Sequence, residues 1–445
     1  MQIADWVQEG DDANNEKIVK VSEDAEKLRN LTLPYTLVSG TGEVNIDGNK
    51  VSFTDADKQL IYITGAVKFK KGDGSYNDFI TYIHIPHIDI RSQGRDMSSM
   101  FAYCSGLTSL DLSGFDTSAV TSMGYMFAYC SNLTSLDLSG LDTSAVTNMS
   151  YMFQGCEKLT SLDLSGLDAT SVEDMASMFS DCYLLTSLNL SGFSTSAVTS
   201  MVNMFYRCNR LTSLDLSSFN TSAVTSMENM FSGCSKLSSL NLSSFDTSAV
   251  TSMASMFQGC SSLTSLDLTG LDTSAVTSML SMFAYCSGLT SLNLSGFNTS
   301  AVTNMDSMFY SCSGLTSLDL TGLDTSAVTN MDSMFYRCSG LTSLDLSGFN
   351  TSAVTSMGYM FSDCSSLTSL ILGPNFFKAP NVTSIDFSYC SKWTNNTVVT
   401  SLVTNSYDRA TAGLKTMTLK LSANTKAALT NEQKAAITAK GYTSA

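Results

Sequence analysis

Twelve cysteines stand in one register. Cys104, Cys130, Cys156, Cys182, Cys208, Cys234, Cys260, Cys286, Cys312, Cys338, Cys364 and Cys390 are each 26 residues apart, and the 445-residue chain has no others. A fixed period of this length belongs to a repeat array, in which each unit is one supersecondary element stacked on the next. One unit reads Ser105-Gly-Leu-Thr-Ser-Leu-Asp-Leu-Ser-Gly-Phe-Asp-Thr-Ser-Ala-Val-Thr-Ser-Met-Gly-Tyr-Met-Phe-Ala-Tyr-Cys130, and it recurs almost verbatim.

The apolar pattern changes period part-way through the unit. Leu110 and Leu112 alternate with Ser109 and Asp111, which predicts a short strand over 107–112 with inward leucines. Gly114 marks a turn. Met123, Met126, Phe127 and Cys130 then fall at i, i+3, i+4 and i+7, one face of a two-turn helix or 3₁₀ segment. Each coil offers nine apolar side chains: Leu107, Leu110, Leu112, Phe115, Val120, Met123, Met126, Phe127 and Cys130. A single coil cannot bury them against itself, so stability is expected from the interfaces between neighbours. At the ~4.8 Å spacing of stacked strands, about eleven coils make an array on the order of 50 Å long.

The segments Leu107-Thr-Ser-Leu-Asp-Leu112 and Val120-Thr-Ser-Met-Gly-Tyr-Met-Phe-Ala-Tyr-Cys130 resemble the repeats of the BspA-like family of bacterial leucine-rich repeat surface proteins, over residues 96–390. The resemblance implies an α/β repeat solenoid of leucine-rich-repeat type, with parallel strands on one face and short helical or 3₁₀ turns on the other. It also implies a non-catalytic adhesion or receptor-recognition role, with no cofactor and no catalytic residue. The partner so implied is a protein or glycan on a host or target-cell surface. Similar repeats are at home in phage virion proteins, so the alternative expectation is a structural or receptor-binding virion component, docked to other subunits through its N-terminal arm. Either reading places the chain outside the cell, on a bacterial surface or a virion. Family members usually carry a secretion signal and often an anchor. The opening Met1-Gln-Ile-Ala-Asp-Trp-Val-Gln-Glu-Gly10 has neither the basic region nor the apolar stretch of a signal, so none is expected here.

Outside the array the pattern divides the chain further. Residues 1–20 are acidic and polar and read as an arm. Residues 21–95 alternate in strand fashion, with turn signals at Asn45-Ile-Asp-Gly48 and Lys71-Gly-Asp-Gly74, and read as a small β-rich domain that closes the first coil. The solenoid occupies 96–390. Residues 391–445 read as a C-terminal cap, with a strand over 415–421 and a capping box, Thr430-Asn-Glu-Gln433, opening a helix that stops at Gly441.

A net charge of −16 argues against nucleic acid, which is held by clustered Lys and Arg. No run of about 18 apolar residues is present, so membrane insertion is not expected. The cysteines sit singly on identical faces of successive coils. That placement suits buried small hydrophobes better than zinc ligands or disulfides, whose groups must converge. Acidic ladders run through Asp111, Asp137 and Asp163 and through Asp116, Asp142 and Asp168, with Asn interspersed further on. Carboxylates ~4.8 Å apart repel by roughly 0.9 kcal/mol in water. They are expected to be solvated and hydrogen-bonded, with calcium bridging as the other reading. The two histidines, His84 and His87, read as structural.

The copies disagree chiefly at the pairs following the first Met and following Phe. Binding residues are expected among them: Tyr125, Tyr129, Tyr151, Tyr206, Arg207, Tyr285, Tyr310, Tyr336, Arg337 and Tyr359. Tyrosine and arginine are common recognition anchors. Drift at solvent positions is the other reading of the same variation.

Overall fold

The computed structural model describes residues 95–113, 115–393, 402 and 406–445, and the backbone of seven short strands between residues 31 and 89. The chain packs as two compact units, Met1–Ala223 and Val224–Ala445. In each unit the 26-residue repeat closes into one coil of a parallel solenoid. Ser122, Asn148, Asp174 and Ser200 bridge in succession in the first unit, and Ser226, Ser252, Ser278, Asn304, Asn330 and Ser356 do so in the second. All nine apolar positions of the unit face inward, from Leu107 at 0 % exposure to Leu110 at 8 %. Their stacking builds internal columns. Phe101, Phe127, Phe153, Phe179 and Phe205 lie 5.5–5.7 Å apart in the first unit. Phe231, Phe257, Phe283, Phe309, Phe335 and Phe361 lie 5.6–5.9 Å apart in the second. Those separations are the offset stacking that aromatic quadrupoles favour.

The segment from Met123 to Cys130 has the i→i+3 closures of a 3₁₀ turn but no propagating helix. Met126, Ala128 and Cys130 N–H groups donate to Met123, Tyr125 and Phe127 carbonyls at 3.0–3.2 Å. Between these closures Tyr125 and Tyr129 adopt left-handed backbone, φ 58° and 59°, which breaks the helical run. The alternate N–H groups, of Met123, Tyr125, Phe127 and Tyr129, turn to the next coil and donate to Asn148, Ser150, Met152 and Gln154 carbonyls at 2.6–2.9 Å. The second unit repeats this: Met279, Ser281, Phe283 and Tyr285 donate to Asn304, Asp306, Met308 and Tyr310 at 2.6–2.9 Å. The apolar i, i+3, i+4 spacing is therefore met by consecutive β-turns, whose inward positions coincide with those of a short helix.

Strand pairing on the leucine face is selective, and where it occurs the acidic position faces no second aspartate of its column. Ser161–Asp163 pairs in parallel with Ser187–Asn189, and Ser343–Leu346 with Ser369–Leu372. At the acidic position these registers set Asp163 beside Asn189 and Asp345 beside Ile371. The isolated bridge on this face joins Asn293 to Asp319. Toward the ends the register sets His84 beside Asp111 and Asp386 beside Lys420. Among the described residues no pairing sets two aspartates of this column side by side. Like charges directly across a ladder oppose pairing, and an uncharged or opposite neighbour removes that penalty. Asn189 adds a bond of its own, Nδ2 donating to Asp163 Oδ1 at 2.9 Å.

Strands upstream of residue 95 continue the register of the first coil. Tyr82–His84 lies in parallel between Lys50–Asp55 and Ser109–Asp111, and Ile88–Asp89 between Ile61–Tyr62 and Phe115–Asp116. Gly42–Asp47 forms an antiparallel hairpin with Lys50–Asp55. The 1–20 arm and His87 lie outside the described residues.

At the other end Ser384–Phe387, Met417–Leu421 and Tyr442–Ser444 form a parallel three-stranded sheet, with helices Ala423–Ala428 and Asn431–Ala439. The capping box at Thr430 is present, Gln433 N–H donating to the Thr430 hydroxyl and Thr430 N–H to Gln433 Oε1. Arg409, which the sequence pattern does not single out, is fully buried here. Its guanidinium donates to the carbonyls of Phe377, Ala379, Val382 and Lys415 at 2.9–3.2 Å, clamping the irregular stretch before the sheet.

Asp137 stands between Asp111 and Asp163 in sequence register. Its replacement by Asn should raise stability by about 0.2–1 kcal/mol, the worth of a relieved cross-strand repulsion. The gain, read from urea unfolding, should shrink in high salt. An unchanged or lowered midpoint at low salt would exclude repulsion along the acidic column.

Candidate functional site

Backbone conformation picks out the surface before side-chain chemistry does. Among the described residues, the eighteen non-glycine residues with positive φ fall in two columns of the repeat. One column runs through Ser99, Tyr125, Tyr151, Ser177 and Asn203 in the first unit and Asn229, Ser255, Ser281, Ser307 and Ser333 in the second. The other holds Tyr103, Tyr129, Asp181 and Arg207, then Tyr285, Ser311, Arg337 and Asp363. Glycine occupies the second column at Gly155, Gly233 and Gly259. Left-handed backbone costs an L-residue about 1–2 kcal/mol and glycine nothing, so tyrosine and arginine are not there for the backbone's sake.

These columns bring most of the expected site residues together. In the first unit Tyr125 stacks on Tyr151, ring centroids 4.3 Å apart and planes 7° from parallel. Tyr129 stacks on Tyr103 at 4.8 Å and 6°. Its other face rests on Gly155, where an added Cβ would sit 2.6 Å from a ring carbon. Tyr206 carries the Arg207 guanidinium 5.1 Å from its ring centre, and Arg207 reaches Asp181 at 3.8 Å. The Tyr183 hydroxyl donates to the same carboxylate at 3.0 Å.

In the second unit Tyr285, Tyr310 and Tyr336 form one run, with centroids 5.0 and 4.8 Å apart. Arg337 lies 5.3 Å over Tyr336, and its Nε donates to Asp363 at 3.3 Å. Tyr359 is 53 % exposed and joins none of these runs. Partners that the sequence comparison passed over are Tyr103, Asp181, Tyr183, Asp363 and Gly155. Their signal was the 26-residue register itself: each stands one coil from a selected residue, or beside such a position.

Stacking decides what these rings can offer. Each stacked tyrosine has one face covered by its neighbour, and Tyr129, between Tyr103 and Gly155, has both. Tyr285, tilted 51° from Tyr310 and 49 % exposed, is the exception. Burial, then the neighbouring phenols, raises the Tyr125 and Tyr310 hydroxyls above their ordinary 10.0.

The cysteine column is internal. All twelve thiols are free and buried. Cys130 Sγ donates to the Phe101 carbonyl of the preceding coil at 3.1 Å, and Cys312 Sγ to Phe283 at 2.9 Å. That carbonyl also closes the turn of its own coil, so each thiol ties a turn to its neighbour. Burial pushes Cys104, Cys286 and Cys364 from 9.0 up to about 12. The acidic ladders are exposed and locally satisfied. Asp163 Oδ1 accepts from the Ser165 N–H and hydroxyl at 2.9 and 2.7 Å, and Asp142 Oδ1 from those of Ser144 at 3.0 and 2.7 Å. These bonds hold both carboxyls below the ordinary 3.8. Among the described residues no group of three or more Cys, His, Asp or Glu is placed to hold a metal, and no helix is long and apolar enough to cross a membrane.

The coil geometry agrees with a family assignment from sequence. A model of the family described as "Mycoplasma protein of unknown function, DUF285" matches residues 95–213, 184–293 and 286–400, together well over half of the chain. The chain belongs to the DUF285 family. No curated protein matches the DUF285 chain. Among solved structures, a leucine rich cell surface protein from Faecalibacterium prausnitzii aligns over 72 % of this chain and 90 % of its own, at 19 % identity and TM-score 0.34. A leucine-rich repeat protein from Eubacterium ventriosum aligns over 75 % and 91 %, at 18 % identity and TM-score 0.32. The functional domain of InlJ from Listeria monocytogenes, which includes a cysteine ladder, aligns over 81 % and 73 %, at 15 % identity and TM-score 0.18.

The buried thiols make the DUF285 solenoid sensitive to alkali. The unfolded chain ionises its thiols from about pH 9, whereas the folded chain keeps them protonated to about 12. The unfolded state therefore binds fewer protons above pH 9, and stability is lost progressively as pH rises from there toward 12. The urea midpoint should fall between pH 8.5 and 10.5, and Cys286→Ala should flatten the slope. A midpoint that does not move with pH, or native thiols that react with a thiol reagent as fast as denatured ones, would contradict the assignment.

Proposed function

We propose that this DUF285 chain is a non-enzymatic recognition protein that acts outside the cell and binds a protein ligand along its turn face. The observation that carries this reading is the placement of Tyr and Arg at exposed left-handed positions where other coils make do with Ser or Gly. The side chains so placed are those common at binding hot spots, an aromatic body with a polar tip and a planar cation.

Covered ring faces favour a protein partner over a sugar. A sugar stacks its C–H face on an open ring, whereas the columns offer edges, hydroxyls and a guanidinium already paired to a carboxylate. Such a surface suits the backbone and polar side chains of an extended segment. Repetition adds weak contacts from several coils, provided the ligand is long enough to engage them together.

Replacing Tyr129, Tyr206, Tyr285, Tyr310 and Tyr336 together by Ser tests the reading with little risk to the fold. Sister coils already carry Ser at the same places, as at Ser311, Ser232 and Ser362. Labelled protein should bind host or target cells before but not after protease treatment of their surface. The five-fold variant should bind about tenfold or more weakly, as loss of clustered aromatic anchors requires. Binding equal to the parent would place recognition on another surface, and binding that survives protease but not glycosidase would make the ligand a glycan.

A further inference from the structure

We propose that the stacked phenols Tyr125 and Tyr151 form an oxidative cross-linking site, where a peroxidase using hydrogen peroxide joins two neighbouring coils through a dityrosine bond. The rings are nearly parallel with centroids 4.3 Å apart, and Tyr125 is 38 % exposed, so an oxidant reaches a pair already in contact. The two tyrosines hold the same position of successive repeats, so their rings stack in register. Both residues are held at φ 58–59°, which fixes where each ring leaves the backbone. The twelve thiols, which would otherwise be oxidised first, are buried.

The chemistry closes with one equivalent of peroxide. Each phenol gives up one electron and its hydroxyl proton, leaving a phenoxyl radical with unpaired density on the ortho carbons. The two radicals form one carbon–carbon bond between ortho carbons. Each ring then regains aromaticity by moving its ortho hydrogen to oxygen. Two hydrogen atoms have left in total, and hydrogen peroxide accepts them, through the peroxidase haem, as two molecules of water. Pre-positioning matters because the radicals are short-lived, and a neighbour already in contact reacts before one that must diffuse. The bond would close one 26-residue repeat into a covalent loop and so restrict the unfolded chain as a disulfide does. Tyr103 with Tyr129 and Tyr310 with Tyr336, each pair 4.8 Å apart, offer weaker versions of the same arrangement.

The full chain, treated with horseradish peroxidase and hydrogen peroxide at low protein concentration, should gain dityrosine fluorescence while still running as a single chain on a denaturing gel. Peptide mass spectrometry should find the Tyr125 and Tyr151 peptides joined, lighter by two hydrogens than their sum, and the product should unfold at higher urea. Y125F and Y151F keep the stacked ring but have no hydroxyl hydrogen to lose, so each should abolish that joined pair. Three results would overturn the proposal: cross-links only between chains, coupling through the more exposed Tyr389 (62 %) without the Tyr125–Tyr151 pair, or persistence of the pair in either variant.

Discussion

Alternate N–H groups along the turn face hold this structure together. Between Met123 and Cys130 every second N–H closes a turn within its coil, and those between donate to the next coil. This division satisfies the backbone of an irregular segment without strand or helix, which a buried polar chain requires. It also forces a left-handed residue between closures, and that requirement creates the outward columns on which tyrosine and arginine stand. Architecture and candidate site are thus consequences of one hydrogen-bonding scheme.

Other side chains reinforce it from inside. Thr117 and Thr143, both buried, donate their hydroxyls to the Asp142 and Asp168 carbonyls of the next coil at 2.7 and 2.8 Å. Cysteine thiols donate in the opposite direction, to the preceding coil. The leucine face contributes burial along its length but regular pairing only where the acidic column is interrupted. Sequence identity among coils extends beyond the apolar core to positions where a side chain bonds across to a neighbour, even at the surface. Thr147, for example, donates its hydroxyl to Thr121 at 3.2 Å while its N–H reaches the same carbonyl at 2.8 Å.

Much of the fold was legible in the sequence because a period of 26 carries its own register. All nine inward positions, the parallel stacking and the Thr430 capping box follow from pattern alone. Turn chemistry was not legible: i, i+3, i+4 spacing is common to a helix and to consecutive β-turns, and the Gly and Asn that mark left-handed backbone, as at Gly155, Asn203 and Asn229, are outnumbered in their columns by Tyr, Ser, Arg and Asp. Buried threonine was missed because threonine is ordinarily a surface residue, and Arg409 because four carbonyls from distant segments leave no local motif. For the candidate site, variation among copies pointed to positions that overlap the left-handed columns. It could not show that the rings stack on one another, since adjacency across coils depends on which way each side chain leaves the backbone.

The central claim is that coils are joined more firmly by the turn face than by the leucine strands. Hydrogen exchange read by mass spectrometry on the native chain tests it directly, comparing 279–286 on the turn face with 289–294 on the strand face of the same region. Slower exchange on the turn face is the result expected from inter-coil bonds of 2.6–2.9 Å there against 3.4 Å from Thr290 to Thr264 on the strand side. Slower exchange in the strand segment would contradict the claim and return the fold to a strand-led solenoid.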